Sequence, residues 1–444
     1  MAARTIHIPN VINERRISGF QYLVVLLCGL VMFIDGFDTQ AISYMAPLIA
    51  NEWALSREML GPIFSSALVG LMIGYLALSP LSDRFGHRRI LIISTLVFAL
   101  FTGVTVFATN VTELIVLRLL TGMGLGAAIP SAVALTSEYS PTRLRATFVL
   151  TIYCGFSLGF VAAGIAAASL LPAFGWRSLL LVGAAVPLVL GGVLFLLLPE
   201  SLDRLVRTSD VQKIWTILRR IDRGLGATAM PDGFTTDREE KSSALGSIFQ
   251  KGRSAGTLLL WFVFALNLGE FYALQSWLPS ILTNQNYTLA TVATATSLTT
   301  AGGIFAAFVV GPSMDRIGPY GSLTCLYLVG VLFVALTGVA LERPEWVLLI
   351  ATFLSGFCVS GGQKSAIALA AVFYSGPVRS TGVGWALGIG RIGGIVGPML
   401  MGVLLARNFA PKIIFFAAAI PMLLAAALVA IMGWIYSERH RRIS

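Results

Sequence analysis

Twelve long runs of this sequence are nearly free of charge, and each is long enough to cross a bilayer as a helix of about 20 residues. They fall roughly at 20–45, 58–80, 88–109, 111–138, 144–170, 176–199, 256–284, 291–313, 320–341, 345–372, 378–405 and 411–437. In hydrocarbon a backbone must satisfy its own hydrogen bonds, which leaves helices or closed barrels. The runs lack the alternation of about ten-residue barrel strands, so the expected class is an all-α membrane protein. Composition excludes the rest. Of 444 residues 56% are hydrophobic and 12% charged, against about 25% charge in soluble domains. A soluble enzyme, a secreted disulfide scaffold or a disordered chain could not be built from this. The 45 glycines suit helices whose backbones approach closely.

The net charge of +10 is a topology signal, because the basic residues cluster in short loops and interleave with no aromatic patch. No nucleic-acid partner is expected. With the N-terminus inside, the cytoplasmic segments hold 23 of the 31 Lys/Arg and the outer loops five: Arg57, Arg177, Arg343, Arg407 and Lys412. Without the long central stretch the ratio is still 13 to five, so both termini are expected in the cytoplasm. The polar start, MAARTIHIPNVINERR, implies no cleavable leader. Cys28, Cys154, Cys325 and Cys358 all lie in apolar runs and read as small buried residues, not bridges or metal ligands.

Between the sixth and seventh runs, residues 200–255 carry ten Lys/Arg and eight Asp/Glu, which reads as a charged, partly helical cytoplasmic linker. The expected organisation is a six-helix bundle with its tail over 1–199, the linker, and a second bundle with its tail over 256–444. The bundles repeat. Asp83-Arg84-Phe85-Gly86 returns as Asp315-Arg316-Ile317-Gly318 at an offset of 232. Tyr139-Ser140-Pro141 with Arg145 returns as Tyr374-Ser375-Gly376-Pro377 with Arg379, the arginines offset by 234. A duplicated unit places a substrate site between the halves, near the midplane.

Twelve spans, this repeat and the loop D-R-F-G-H-R-R after span two resemble the major facilitator superfamily, as does R-L-L-T-G-M-G-L-G-A-A from Arg118 to Ala128 in span four. Asp35-Gly36-Phe37-Asp38 in span one and G-W-A-L-G-I-G-R-I-G-G from Gly384 to Gly394 in span eleven resemble its aromatic acid:proton symporters. The resemblance covers nearly the whole chain. It departs at Ser79, where the loop motif opens with glycine, and at Lys364 in span ten, where an uncharged residue is the common pattern. What the resemblance implies is a monomeric transporter in a bacterial cytoplasmic (inner) membrane. Two pseudo-symmetric six-helix bundles would work by alternating access on aromatic acids such as 4-hydroxybenzoate and protocatechuate. Spans one, four, seven and ten would line its cavity.

Six charges lie in the spans: Asp35, Asp38, Arg118, Glu270, Lys364 and Arg391. Each costs at least about 2.5–3.5 kcal/mol there and is a functional candidate. A rise of about 1.5 Å per residue puts Asp38 and Arg118 at similar depth, and Asp35 one turn below Asp38 on the same face. Two carboxylates so close in a low dielectric cannot both ionise cheaply, which is the chemistry of a proton-coupling pair. The alternative is that they pin a helix kinked at Gly36. Glu270 is a second proton-site candidate, or half of an ion pair. Arg391 and Lys364 are candidates to meet a substrate carboxylate, since an unpaired buried anion is prohibitive. Lys364 could instead pair with Glu270 until substrate arrives. Tyr44, Phe271, Tyr272 and Trp277 could stack on a ring. At the cytoplasmic face, Asp83, Arg84, Arg88, Arg89, Asp315 and Arg316 read as gating and helix-bridging residues, with Glu138 beside Arg143 and Arg145.

No nucleotide-binding loop is present. With histidine at His7, His87 and His440 alone, no triad or metal cluster is visible, so neither enzyme, cofactor nor metal is expected. The leading reading is proton-driven import of a small aromatic carboxylate. A proton-coupled efflux antiporter, or an importer of non-aromatic acids, remains the alternative. Exporters of this fold carry G-x-x-x-G-P in span five, whereas here Gly155 and Gly159 precede Phe160.

Overall fold

The computed structural model describes residues 5–77, 81–82, 85–222, 224–225, 230–236, 248–250, 252–374, 379–407 and 409–441. Twelve long helices appear among them. Spans one to six are Gly19–Glu52, Leu60–Ala77, His87–Thr105, Val111–Glu138, Arg145–Phe174 and Arg177–Leu197. Spans seven to twelve are Ser254–Asn284, Leu289–Ile317, Pro319–Ala340, Glu345–Phe373, Arg379–Ala406 and Pro411–Arg441. Eleven are long and apolar enough to cross a membrane, and span two contributes the shorter apolar stretch Leu60–Tyr75.

Span one begins at a capping box in which Ser18 and Gln21 exchange hydrogen bonds across the first turn, satisfying backbone donors that have no intrahelical partner. Asn110 and Thr288 cap spans four and eight more simply, accepting from Glu113 N and Thr291 N. Several boundaries differ from the sequence expectation, and two have a visible cause. Span one runs on to Glu52, seven residues past 45, because its far end is fastened outside the apolar run: Glu52 accepts from Trp176 Nε1 at 2.6 Å and Arg177 Nη1 at 3.0 Å. Span three stops at Thr105, not 109, where Val106, Phe107 and Ala108 turn back on carbonyls three residues earlier.

The two halves repeat each other in their packing. Span one lies on span five as span seven lies on eleven, two on four as eight on ten, and three on six as nine on twelve. The close pairs need glycine. A Cβ on Gly36 would overlap the Phe156 carbonyl of span five, and one on Gly393 would overlap the Ala265 carbonyl of span seven. Gly36 therefore marks a close helix contact within the unbroken helix of span one.

Between the halves, span two meets eleven, five meets eight, and one meets seven. These contacts gather toward the end of the molecule opposite the termini. Ser65 Oγ donates to the Ile395 carbonyl at 2.8 Å, Gln40 Nε2 to the Gln275 carbonyl at 3.3 Å, and Phe64 packs edge-on against Trp277 at 5.0 Å. On the terminal side, Gly384 and Gly388 have nothing within 4 Å of where a Cβ would sit. The contacts through Ser65, Gln40 and Phe64 seal the interface between the halves at the end opposite the termini.

The linker residues build a cap at the terminal end. Short helices Leu202–Arg207 and Val211–Ile221 follow span six, and the strand Gly233–Thr235 pairs in parallel with Thr5–His7. Ile8, Ile12, Ile214, Trp215, Leu218 and Phe234 join the apolar core of the first half. An Arg15–Asp222 ion pair at 3.0 Å ties the N-terminal segment to this layer.

Candidate functional site

Four of the six membrane charges sort into two clusters. In the first half, spans one and four bring Asp38 and Arg118 together: Nη1 donates to Oδ1 at 2.6 Å, with the two side chains 6% and 1% exposed. Arg118 Nε is buried with no acceptor. The pair is dry and held by one bond. One turn earlier on the same helix, Asp35 is buried and its Oδ1 has no hydrogen-bond partner.

The second cluster centres on Arg391 of span eleven. Gly384, Gly388 and Arg391 fall at i, i+4 and i+7, on one face of the helix, and nothing lies within 4 Å of where a Cβ on either glycine would sit. Close packing of span eleven on span seven sets the guanidinium beside Tyr272, where Nη1 donates to the phenol oxygen at 3.1 Å. The Tyr75 ring of span two lies 5.5 Å from the guanidinium carbon, within cation–π range. Asp35 and Tyr153 are the other groups within electrostatic reach. Arg391 thus lies within electrostatic reach of Asp35 from the other half, and Tyr272 engages one of its five N–H donors.

Lys364 is half-buried on span ten and donates to the Gly303 carbonyl of span eight at 3.0 Å. The alternative pairing of Lys364 with Glu270 is not formed. Glu270 is 3% exposed, and its Oε1 is buried with no partner. Lys364 lies nearer the terminal end of span ten than Glu270 does of span seven.

The aromatic candidates divide. Tyr272 lines the Arg391 cluster, and Phe271 packs edge-on against it at 5.1 Å. Trp277 belongs to the seal, with Nε1 donating to the Pro398 carbonyl at 2.8 Å. Tyr44 is buried near the same end, its hydroxyl against Gly164 of span five. Neither reaches the Arg391 cluster.

At the terminal face Asp83 and Arg84 lie outside the described residues, as do the side chains of Arg145 and Asp315. Arg88 closes the C-terminus of span six, donating to the carbonyls of Leu198 at 2.6 Å and Phe195 at 2.5 Å, where a cation complements the helix dipole. Arg89 and Arg316 are exposed. Glu138 is not joined to Arg143. It accepts from Ser201 Oγ at 2.9 Å and Leu202 N at 2.8 Å, with His87 Nε2 at 3.8 Å. Arg143 instead donates to the Arg15 carbonyl at 3.2 Å. Both residues fasten the cap: Glu138 supplies acceptors to the first turn of Leu202–Arg207, whose orphan amides need them.

Tyr75 and Tyr153 are site residues that the sequence did not single out. Within an apolar span a tyrosine reads as packing, and only the meeting of spans two, five and eleven reveals their place.

A twelve-helix duplicated bundle with a polar cluster between its halves is the architecture of a membrane carrier. The Major Facilitator Superfamily pattern matches residues 28–342 and 260–443. A 4-hydroxybenzoate transporter, PcaK of Pseudomonas aeruginosa, is 38% identical over 438 residues, covering 97% of each chain. A gallate transporter of Pseudomonas putida is 35% identical, covering 96% of this chain and 95% of its own. Among solved structures, a bacterial homologue of the human lysosomal transporter Spinster, inward-facing and unoccupied, superposes with a TM-score of 0.72. It has 16% identity and covers 95% of this chain and 98% of its own. The chain belongs to the major facilitator superfamily of membrane transporters and, within it, to the family of the aromatic acid transporters. It is a multi-pass transporter and not an enzyme.

Proposed function

We propose that this chain imports a small aromatic carboxylate together with protons across a bacterial inner membrane. It acts as a monomer with both termini in the cytoplasm. Residues 1–199 and 256–444 rock as two units about the 200–255 linker, and Asp83, Arg84, Arg145, Asp315 and Arg316 belong to the cytoplasmic gate. The observation that carries this reading is Arg391: a part-buried guanidinium between the halves, hydrogen-bonded to the Tyr272 phenol and within electrostatic reach of Asp35. Its planar fork fits a carboxylate through two hydrogen bonds. The named substrates of the relatives, 4-hydroxybenzoate and gallate, are aromatic carboxylates that such a fork would hold.

Coupling follows from the neighbours of Arg391. An ionised Asp35 competes with the substrate anion for the guanidinium. A proton on Asp35 removes that competition, so anion and proton load together. Asp38, held by Arg118, stands one turn away as the second carboxyl of the relay, and Glu270 is the reserve proton site. Tyr272 and Phe271 supply ring contacts beside the carboxylate.

Uptake of labelled 4-hydroxybenzoate into proteoliposomes tests this. Accumulation is expected when the interior is alkaline and is abolished by a protonophore. Expulsion of substrate on proton entry, or accumulation indifferent to the pH gradient, overturns the symport reading.

A further inference from the structure

The closest helix contacts align the two halves residue by residue. A Cβ on Gly159 of span five would overlap the Phe33 carbonyl of span one, as one on Gly393 would overlap that of Ala265. A Cβ on Gly122 of span four would overlap the Ala67 carbonyl of span two, as one on Gly356 of span ten would overlap that of Thr299. These matched contacts relate spans one and seven by 232 positions and spans four and ten by 234. On that correspondence Asp38 matches Glu270, and Asp35 matches Asn267. Asn267 is buried, and its Nδ2 donates to the Val359 carbonyl of span ten at 3.1 Å. Val359 in turn matches Leu125 of span four, so the matched partner of Asp35 is the Leu125 carbonyl. An amide can donate that bond. A carboxylate cannot, because it and the carbonyl are both acceptors, and Asp35 Oδ1 is buried without a hydrogen-bond partner.

A protonated Asp35 has nearly the shape of asparagine and one O–H to donate. The charged and titratable groups within its electrostatic reach are Asp38 on its own helix, Arg391 of span eleven, and the phenols of Tyr75, Tyr153 and Tyr272 on spans two, five and seven. Arg391 is the one cation in that set. We propose that Asp35 is a two-position proton switch. Ionised, it is held toward Arg391 of the other half; protonated, it donates to the Leu125 carbonyl of its own half, the bond that Asn267 keeps permanently in the second half. This rests on the reading of Arg391 as the carboxylate site. The charges balance: one proton from solvent neutralises Asp35 as one substrate anion takes its place beside the guanidinium. Asp38 stays on Arg118 throughout. Asn267, which cannot ionise, leaves its own half without the matching switch.

The test is calorimetric titration of the full chain in nanodiscs with benzoate, in buffers of different ionisation enthalpy, which counts the protons taken up per anion bound. On the alkaline side, uptake of about one proton is expected, with affinity rising about tenfold for each unit by which the pH falls. Asp35→Asn is expected to take up no proton and to hold, at every pH, the tightest affinity of the unmodified chain. Proton uptake that survives Asp35→Asn, or an affinity in that variant as weak as the unmodified chain shows at its most alkaline, overturns the switch. Infrared difference spectra test the Leu125 bond. Asn267→Asp places a carboxyl opposite the Val359 carbonyl, and its protonated band is the reference for an acid bonded in this way. The Asp35 band, identified by its loss in Asp35→Asn, is expected to coincide with it. A band at the higher frequency of an unbonded acid overturns that bond, and acetic acid monomers in an apolar solvent supply this second reference even where Asn267→Asp does not fold. If benzoate binds and Arg391→Gln loses it, but no proton is taken up, the switch fails and the anion site stands. If benzoate does not bind, both fail.

Discussion

The two halves share a helix plan and differ in how they treat charge. In the first, Asp38 and Arg118 neutralise each other inside the bundle, sealed from solvent. In the second, Arg391 and Lys364 rest on neutral oxygens, a phenol and a carbonyl, and Glu270 faces no partner for Oε1. One half is electrically closed while the other holds cations in reserve for an anion. Duplication of a six-helix unit gave both halves the same scaffold, and this asymmetry separates a proton-handling side from a substrate-handling side. Asp35 is the link, since it belongs to the first half and lies within electrostatic reach of Arg391 of the second.

The comparison is broken most severely at its closed side. Arg118→Gln leaves Asp38 buried without its cation and is expected to cost about 3–5 kcal/mol of stability, read as a fall in the melting temperature. Adding Asp38→Asn should recover much of that loss. If the double variant is no more stable than the single one, the pair does not hold the bundle in the way described.

At the open side, Arg391→Gln removes a charged donor and is expected to weaken benzoate binding by about 1.5–3 kcal/mol, or roughly 10- to 150-fold, with little change in melting temperature. Calorimetric titration measures it. Unaltered affinity would move the anion site away from span eleven. A finer cut is Tyr272→Phe, which deletes only the acceptor of the Arg391 bond. The expected loss is about 0.5–1.5 kcal/mol in affinity, and a loss as large as that of Arg391→Gln would mean the phenol itself binds substrate.

Much of this was legible in the sequence, for a physical reason. Hydrocarbon permits few backbone solutions, so apolar runs locate helices to within a few residues. The exception at Glu52 arises because Trp176 and Arg177 fasten that helix end beyond the apolar run. Helical rise placed Asp38 level with Arg118, and packing turned them together. Rise alone fails where facing matters. Glu270 and Lys364 do not meet: Lys364 lies nearer the terminal end of its span, and its ammonium turns to the Gly303 carbonyl of span eight. Glu138 was read beside Arg143 because they are near in sequence, yet its partners come from the linker some sixty residues on. Tyr75 and Tyr153 carried no signal, since their importance lies in the approach of spans two and five to a residue more than two hundred positions away.

The division between a coupling half and a binding half is tested most directly by Asp38→Asn. The same proteoliposomes are assayed for counterflow of labelled 4-hydroxybenzoate and for its accumulation under an inside-alkaline gradient. Counterflow is expected to persist, because the binding cations are untouched. Accumulation above the equilibrium level is expected to vanish, because the proton-handling pair is gone. Loss of both together, or accumulation at the unmodified level with the same pH dependence, would contradict the account.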